Sequence, residues 1–361
     1  MQSLGLKQVR AHYEALLSEH YTWTFGGSAA KFKINYALLK ELLEGTPGPH
    51  LHASLESAGY TGTPAVQPRG GGGGGATQEP KEPTTINNNL PTHSDHDVVH
   101  GRVAVDLGCG SGFQTLPLLQ LGYRVKAVDA SEALLAELAH EAAAVCPDAV
   151  SRLQSVCGDI LDSSNFIYEQ EQEDSRCSSL PPPAVTASSP ELIVCMGDTL
   201  THLASIAEVN ALLADAYAAL VPGGRLIVQF RDLTQPLHGT DRFIPVRSDE
   251  RTVFTCFLEW ENNNSSSNNS NSIGTTVTTD TTTGTTTTIT TEPTDGSGCI
   301  IRVHDLVHVK KGIGAWELCK SWYKKLGLTS NYVSMLMQSH GFHVVLADND
   351  GGMVLLMAVH P

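Results

Sequence analysis

The sequence predicts an α/β fold: a doubly wound, mostly parallel sheet of seven strands with an antiparallel last strand, an N-terminal helical cap, and an antiparallel β flap inserted after strand 5. Three observations predict it. Apolar strand runs alternate with helical stretches from Val103 onward, the signature of parallel βαβ units. The first run, VAVDLGCGSG at 103–112, ends on Asp106 and turns through Gly108, Gly110 and Gly112 into a helical segment. The chain closes on HVVLADNDGGMVLLMAVHP, two apolar runs around an Asp, Asn and Gly turn, which reads as a hairpin.

Taken in order, residues 6–20 place Val9, Tyr13, Leu16 and Leu17 at helical spacing. HYTWTFGG then turns at Gly26 and Gly27, and KFKINYALLKELLEG reads as a second helix ending at Gly45. Residues 1–45 thus form the helical cap. Residues 46–97, with consecutive glycines from Gly70 to Gly75 and a Pro, Asn and Thr-rich run, read as a flexible linker. The main domain spans 98–361, interrupted by low-complexity insertions at 163–189 and 261–297 that cannot bury enough surface to order themselves. Within it, YRVKAVDASEALL is a strand ending on Asp129, and SVCGDIL places Asp159 at a third strand end. ELIVCMGDTLTHL and VPGGRLIVQFRDL supply the fourth and fifth, with Pro222, Gly223 and Gly224 as the turn before the latter. FIPVRSDERTVFTCFLEW, IIRVHDLVHVKK and AWELCKSWYKKLGL read as strands of the flap, and NYVSMLMQSHGF as a helix.

A βα turn needs glycine where the backbone takes φ > 0 or must approach a ligand, and the following helix presents unpaired N–H groups. The spacing selects among ligands. A GxGxxG dinucleotide fingerprint begun at Gly108 would need glycine at 113, where Phe113 stands, and the third glycine comes early at Gly112. Asp129, about 20 positions on, is where a doubly wound fold sets a carboxylate against ribose hydroxyls. The pattern Asp-x-Gly-x-Gly-x-Gly, with these strand ends following in order, resembles motif I of the class I S-adenosylmethionine-dependent methyltransferases. The resemblance covers most of the chain expected to be ordered, and it implies a Rossmann-like sheet with S-adenosyl-L-methionine as cofactor. It implies that Asp106 concerns the methionine ammonium and that Gly108, Cys109, Gly110 and Gly112 form the cofactor loop. Asp129 and Ala130 then lie at the ribose, Gly158, Asp159 and Ile160 at the adenine, and Met196 at the fourth strand end beside the cofactor. Plainer readings stand beside these: Asp106 and Asp129 also suit helix caps, Asp159 a loop acid, and Cys109 and Cys157 small packing residues.

Methyl transfer by direct displacement requires alignment and exclusion of water more than covalent help from the protein. An amine or hydroxyl acceptor that must lose a proton needs a base near the fourth and fifth strand ends, where Asp198, His202 and Asp232 are candidates. Arg231 suits a substrate carboxylate by its two-bond fork, or else pairs with Asp232. Tyr21, with Tyr13 and Trp23, lies where a lid over the cofactor is expected; its aromatic face either meets the ligand or packs the cap. His304 and His308 are expected on the flap surface. His93, His96 and His100 read as linker histidines, so no metal site is expected.

The net charge of −15 over 361 residues argues against nucleic acid or an anionic membrane and favours a small-molecule methyl acceptor. Eight cysteines without a CxxC pair suit a reducing compartment. The first residues lack an apolar signal core and no run reaches membrane-spanning length, so a cytoplasmic protein is expected, organelle import being left open. Nothing in the sequence sets an oligomeric state. Three other functions compete: a cofactor-binding protein without transfer activity, a methyltransferase acting on a macromolecule, and a nicotinamide oxidoreductase, against which Phe113 stands.

Overall fold

The computed structural model describes residues 20–44, 102–170, 186–261, 275–279, 286–290, 296–312, 314–350 and 352–361. The expected linker 46–97, and all but the last residue of the helix expected over 6–20, lie outside them. In chain order the elements begin with α1 (Tyr21–Thr24) and α2 (Ser28–Glu44), then β1 (Val103–Leu107), α3 (Thr115–Gln120), β2 (Arg124–Asp129), α4 (Glu132–Val145) and β3 (Leu153–Cys157). They continue with β4 (Tyr168–Gln170), β5 (Thr186–Ser188), β6 (Leu192–Cys195), α5 (Ile206–Ala219), β7 (Arg225–Arg231), β8 (Phe243–Ser248) and β9 (Thr252–Trp260). The last are β10 (Thr275–Thr279), β11 (Thr286–Thr290), β12 (Ile300–Lys311), β13 (Ala315–Leu326), α6 (Ser330–Ser339), β14 (His343–Asp350) and β15 (Met353–Val359).

The main sheet has seven strands in the order β14-β15-β7-β6-β1-β2-β3. All its pairings are parallel except those of the final strand β15, which runs antiparallel to β7 and β14. This is the Rossmann-like doubly wound sheet expected from the sequence. The VAVDL run of β1 is buried at every position, because a central parallel strand is covered on both faces. Alternation divides the sheet's side chains between two cores. Val105, Leu107, Ile193, Val228 and Phe230 pack against α5 and α6 through Val209, Leu213, Val333 and Met337. Ala104, Val125, Ala127, Val194 and Ile227 pack on the opposite face with Leu39 and Leu42 of α2 and Leu118 and Leu138 of α3 and α4. Helix starts follow their capping residues: the hydroxyls of Ser131, Ser205 and Thr329 accept from the N–H groups of Leu134, Glu208 and Tyr332.

Between β7 and α6 the chain builds a second sheet, antiparallel, in the order β13-β12-β9-β8. Its row Ile301, Val303, Asp305 and Val307 is buried while the residues between are half-buried. No helix among the described residues is long and apolar enough to cross a membrane.

The two expected insertions are partly built into the fold. In 163–189, Phe166 is fully buried in the core, and the Lys126 ammonium donates to the carbonyls of Ser164 (3.0 Å) and Ile167 (2.8 Å). β4 and β5 then pair at the two ends of the stretch. One aromatic anchor and one buried lysine hold residues 164–167 to the sheet against the composition of the stretch. In 261–297, Glu261 accepts from Arg302 and Lys324, and β10 pairs with β11.

Gly112 and Gly122 both adopt left-handed backbone, φ +93° and +92°, but a Cβ at Gly112 would lie 2.3 Å from Cδ1 of the fully buried Leu138, whereas none meets anything within 4 Å at Gly122. Gly122→Ala should therefore cost about 1 kcal/mol of backbone strain, and Gly112→Ala about 2–4 kcal/mol. Urea melts of the two variants check this, and equal losses would show that packing against Leu138 is immaterial.

Candidate active site

The turn after β1 lies at the carboxyl edge of the sheet, where open parallel sheets take ligands. Gly108 and Gly110 adopt φ of +74° and +53°, and each meets a neighbour closely. A Cβ at Gly108 would stand 2.3 Å from the Thr199 methyl, and one at Gly110 3.1 Å from the Tyr21 hydroxyl. The N–H groups of Gly108 and Cys109 donate to the Val128 carbonyl (2.8 and 3.0 Å), and that of Gly110 donates to Asp129 Oδ2 (2.8 Å). The loop is thereby tied to the tip of β2.

Asp129 Oδ1 also accepts the Ser131 N–H at 2.8 Å, so the carboxylate does cap the next helix. Each of its oxygens keeps a further lone pair, enough to accept a ribose diol as well. Burial raises its pKa against the lowering effect of these hydrogen bonds. Asp106, beneath the loop, is almost fully buried; Oδ2 accepts from Thr115 Oγ1 at 2.6 Å, and Oδ1 has no partner among the described residues. Burial pushes its carboxyl up to about 7. Ala130 follows at the end of β2. At the tip of β3, Gly158 N–H donates to the Asp129 carbonyl, Asp159 Oδ1 accepts the Leu161 N–H at 3.0 Å, and Ile160 is buried.

The cap closes over this edge. Tyr21 stacks on Phe113, centroids 5.5 Å apart and planes 12° apart, and Phe25 meets both rings edge-on. Thr22 bonds Ser111 Oγ at 3.1 Å and also donates to Glu137. Asn35 Nδ2 donates to the Phe113 carbonyl at 3.0 Å. On its other side the cap reaches the flap, where Trp23 Nε1 donates to Asp249 Oδ2 at 2.9 Å and Arg247 lies over the indole.

Between cap, sheet edge and flap lies a cavity of about 440 Å³. Tyr21, Gly108, Met196, Asp198, His202 and Arg231, all singled out from the sequence, line it. Asp129, Ala130, Gly158, Asp159 and Ile160 sit outside it, along the tips of β2 and β3. Asp232 is also outside: its Oδ1 accepts from the N–H (3.0 Å) and hydroxyl (2.6 Å) of Thr234, closing a turn after β7. Arg231, weighed from the sequence as a partner of Asp232, has its Nε 4.0 Å from Asp198 Oδ2.

Asp198 has φ +78° and is buried. Its Oδ1 accepts the Arg231 backbone N–H (2.9 Å) and the Thr201 hydroxyl (3.0 Å), and its Oδ2 pairs with the Lys325 ammonium from β13. Burial alone would raise its carboxyl, but Lys325, then Arg231 and the hydrogen bonds outweigh that and hold it below the usual carboxylate range. A carboxylate so engaged is a weak base. His202 faces Tyr323 of the flap, ring centroids 5.3 Å apart.

Among the lining residues that escaped the sequence reading are Lys31, Lys325, Cys256 and Asp305. Cys256 donates its thiol proton to Asp305 Oδ1 at 3.1 Å. Asp305 carried a legible signal, an acid in the apolar row Ile301, Val303, Val307, and Lys325 shares the inward register of Tyr323. Lys31 lies one helical turn before Asn35, on the face of α2 turned to the loop.

Residues 105–226 match the family model described as a methyltransferase domain. That match spans β1 to the start of β7, the core of the parallel sheet described above. No curated protein matches it. Similar solved structures include an S-adenosylmethionine-dependent methyltransferase from Clostridium acetobutylicum, 12% identical over 71% of this chain and 83% of that one, TM-score 0.46. The CcbJ methyltransferase from Streptomyces caelestis is 16% identical over 72% and 83%, TM-score 0.47, and DesVI of Streptomyces venezuelae 15% identical over 73% and 85%, TM-score 0.42. Likeness at that level carries nothing about the acceptor.

Two outcomes are expected. Lys325→Met leaves the Asp198 charge buried beside a lost partner and should cost about 3–5 kcal/mol, most of it recovered in the Asp198→Asn, Lys325→Met double variant. Chemical denaturation of the four proteins in the cycle measures that coupling. For Asp106, the folded protein holds a proton up to about pH 7 that the unfolded chain releases near pH 4, so this group lowers stability as pH rises between them. Asp106→Asn should flatten that decline by about 1.4 kcal/mol per pH unit, read from melts across this range.

Proposed function

We propose that this enzyme moves a methyl group from S-adenosylmethionine to a nucleophilic nitrogen or oxygen of a small-molecule acceptor. One observation carries the reading: the cavity beside Gly108 and Met196 is roofed by the cap and walled by the flap, and its volume of about 440 Å³ suits a small ligand. A macromolecule would have to present its acceptor atom through both.

The residues present fit the donor. Asp106 offers a buried oxygen without a partner among the described residues, suited to an ammonium. Gly108 and Gly110 hold a loop that a Cβ would fill, and Asp129 has lone pairs to spare for a ribose. Asp159 and Ile160 stand at the neighbouring strand tip for the adenine. When bound, the donor supplies a methyl group already activated by its sulfonium. The protein's part is to orient the acceptor and exclude water, which falls to Tyr21, Phe25 and Phe113 above the loop and to the flap's inner face.

In this reading His202 takes the proton from the acceptor nucleophile, supported by its place in the cavity wall and by the capacity of an imidazole to act as general base. Asp198, engaged by Lys325 and Arg231, is a positioning residue. Asp232 shapes the turn beside Arg231. Cytoplasmic location and independence of nucleic acid belong to the same proposal, supported by the charge of −15 and by the cysteine usage.

Incubation with methyl-labelled S-adenosylmethionine and a metabolite extract should label a small product. Label in protein or nucleic acid instead would overturn the acceptor class. Asp129→Ala should weaken S-adenosylhomocysteine binding by about 1–3 kcal/mol in titration calorimetry, since it removes an acceptor for the ribose hydroxyls. An unchanged affinity would remove Asp129 from the donor site.

A further inference from the structure

Resting on the reading above, we propose that the side-chain amides of Asn35 and Gln114 hold the amino-acid end of S-adenosylmethionine, the Asn35 oxygen accepting from its ammonium and the Gln114 amide donating to its carboxylate.

Asn35 belongs to α2 and Gln114 directly precedes α3, so two elements bring their amides to one wall of the cavity. Both are almost closed off by protein, 2% and 6% exposed. The Asn35 amide has only one orientation open to it: Nδ2 donates to the Phe113 carbonyl at 3.0 Å, and the reverse would set two oxygens against each other. Oδ1 is therefore the end turned to a ligand, and it has no partner among the described residues. Gln114 stands at the start of α3 but makes no capping bond to it, and lines the cavity instead. An amide oxygen shut away from water without a hydrogen to accept costs free energy, which the N–H of a ligand recovers.

The order of the sheet decides which ligand reaches this wall. Asp129 ends β2 and Asp159 follows β3, on one side of β1, whereas β6 and β7 lie on the other. With the ribose at Asp129 and the adenine at Asp159, the rest of the donor runs back across the tip of β1, one strand spacing of about 4.8 Å, and enters the cavity beside Gly108 and Met196. Residues 113–115 are flanked there by two side chains that each use one end: Asn35 donates to the Phe113 carbonyl, and Asp106 Oδ2 accepts from Thr115 Oγ1. In both, Oδ1 has no partner among the described residues. An ammonium offers three hydrogens and no lone pair, so it suits two such oxygens, one of an amide and one of a carboxylate; the donor's own carboxylate does not. The Gln114 amide, with two hydrogens to give, takes that carboxylate. Asn35 thus makes the cap a part of the donor site as well as its cover.

The test measures, by titration calorimetry on the whole protein, the Kd of S-adenosylhomocysteine and of two analogues, one with hydrogen in place of the α-amino group and one with hydrogen in place of the carboxylate. The unmodified protein should bind the deaminated analogue about 100-fold more weakly than S-adenosylhomocysteine. In Asn35→Leu that ratio should fall by about tenfold while the ratio for the decarboxylated analogue stays within about twofold, and Gln114→Leu should do the converse. Each ratio is read within one protein, so a general loosening of the cap weakens both ligands alike and cancels. Should Asn35→Leu fail to fold, Asn35→Ala removes the amide without bulk and supplies the same ratio. An unmodified protein that binds the deaminated analogue as tightly as S-adenosylhomocysteine overturns the inference without any variant. A ratio that does not move in the Asn35 variant overturns it too, leaving that amide to the acceptor or to packing, and an unmoved ratio in Gln114→Leu removes Gln114 from the carboxylate. In all these outcomes S-adenosylhomocysteine still binds and the methyltransferase reading stands; its failure to bind the unmodified protein would take down both.

Discussion

The ion pair of Asp198, just beyond β6, with Lys325, near the end of β13, is the constraint on which the site's architecture depends, because it joins the inserted sheet to the parallel one. Two consecutive left-handed residues, Gly197 and Asp198, turn the carboxylate back over the sheet edge, where it also receives the Arg231 N–H. One acid thus registers the ends of β6 and β7 and the inner face of the flap. Buried as both side chains are, the pair gives geometry rather than net stability, since desolvation offsets most of the attraction. What it fixes is the distance between floor and roof, and with it the existence of a cavity.

The opposite wall depends on a residue that first mattered by exclusion. Phe113 stands where a dinucleotide-binding loop would continue with glycine, and the structure shows what the side chain does instead. Its ring is the platform on which Tyr21 stacks and against which Phe25 packs. Its carbonyl accepts from Asn35. An aromatic at that position therefore couples the helical cap to the loop it covers.

Legibility in the sequence follows locality. The sheet was readable because VAVDL, RVKAVD and LIVC are apolar runs long enough to declare strands, and Gly108 to Gly112 because the requirement for positive φ is a property of residues rather than of contacts. Low-complexity composition hid Phe166, whose burial depends on Lys126 across the sheet edge. Lys325 was hidden too, since the pairing of a lysine with an acid 127 positions away is set by tertiary geometry. Asp305 was readable in principle from its row, yet an acid in an amphipathic strand says only that it is buried, not what it faces. The closing hairpin shows the same limit in miniature: Asp348, Asn349 and Asp350, expected in the turn, belong to β14 and pair with β15.

The contact between Trp23 and Asp249 has a consequence for how the cap is held. It is a hydrogen bond at the surface that bridges cap and flap, and such bonds contribute little net free energy because water replaces them on opening. The aromatic packing that seats the cap on the loop, by contrast, rests half-buried Tyr21 and Phe25 on the buried ring of Phe113. The cap is thus tied to the flap by a contact that water can replace, and to the loop by ring packing that water cannot.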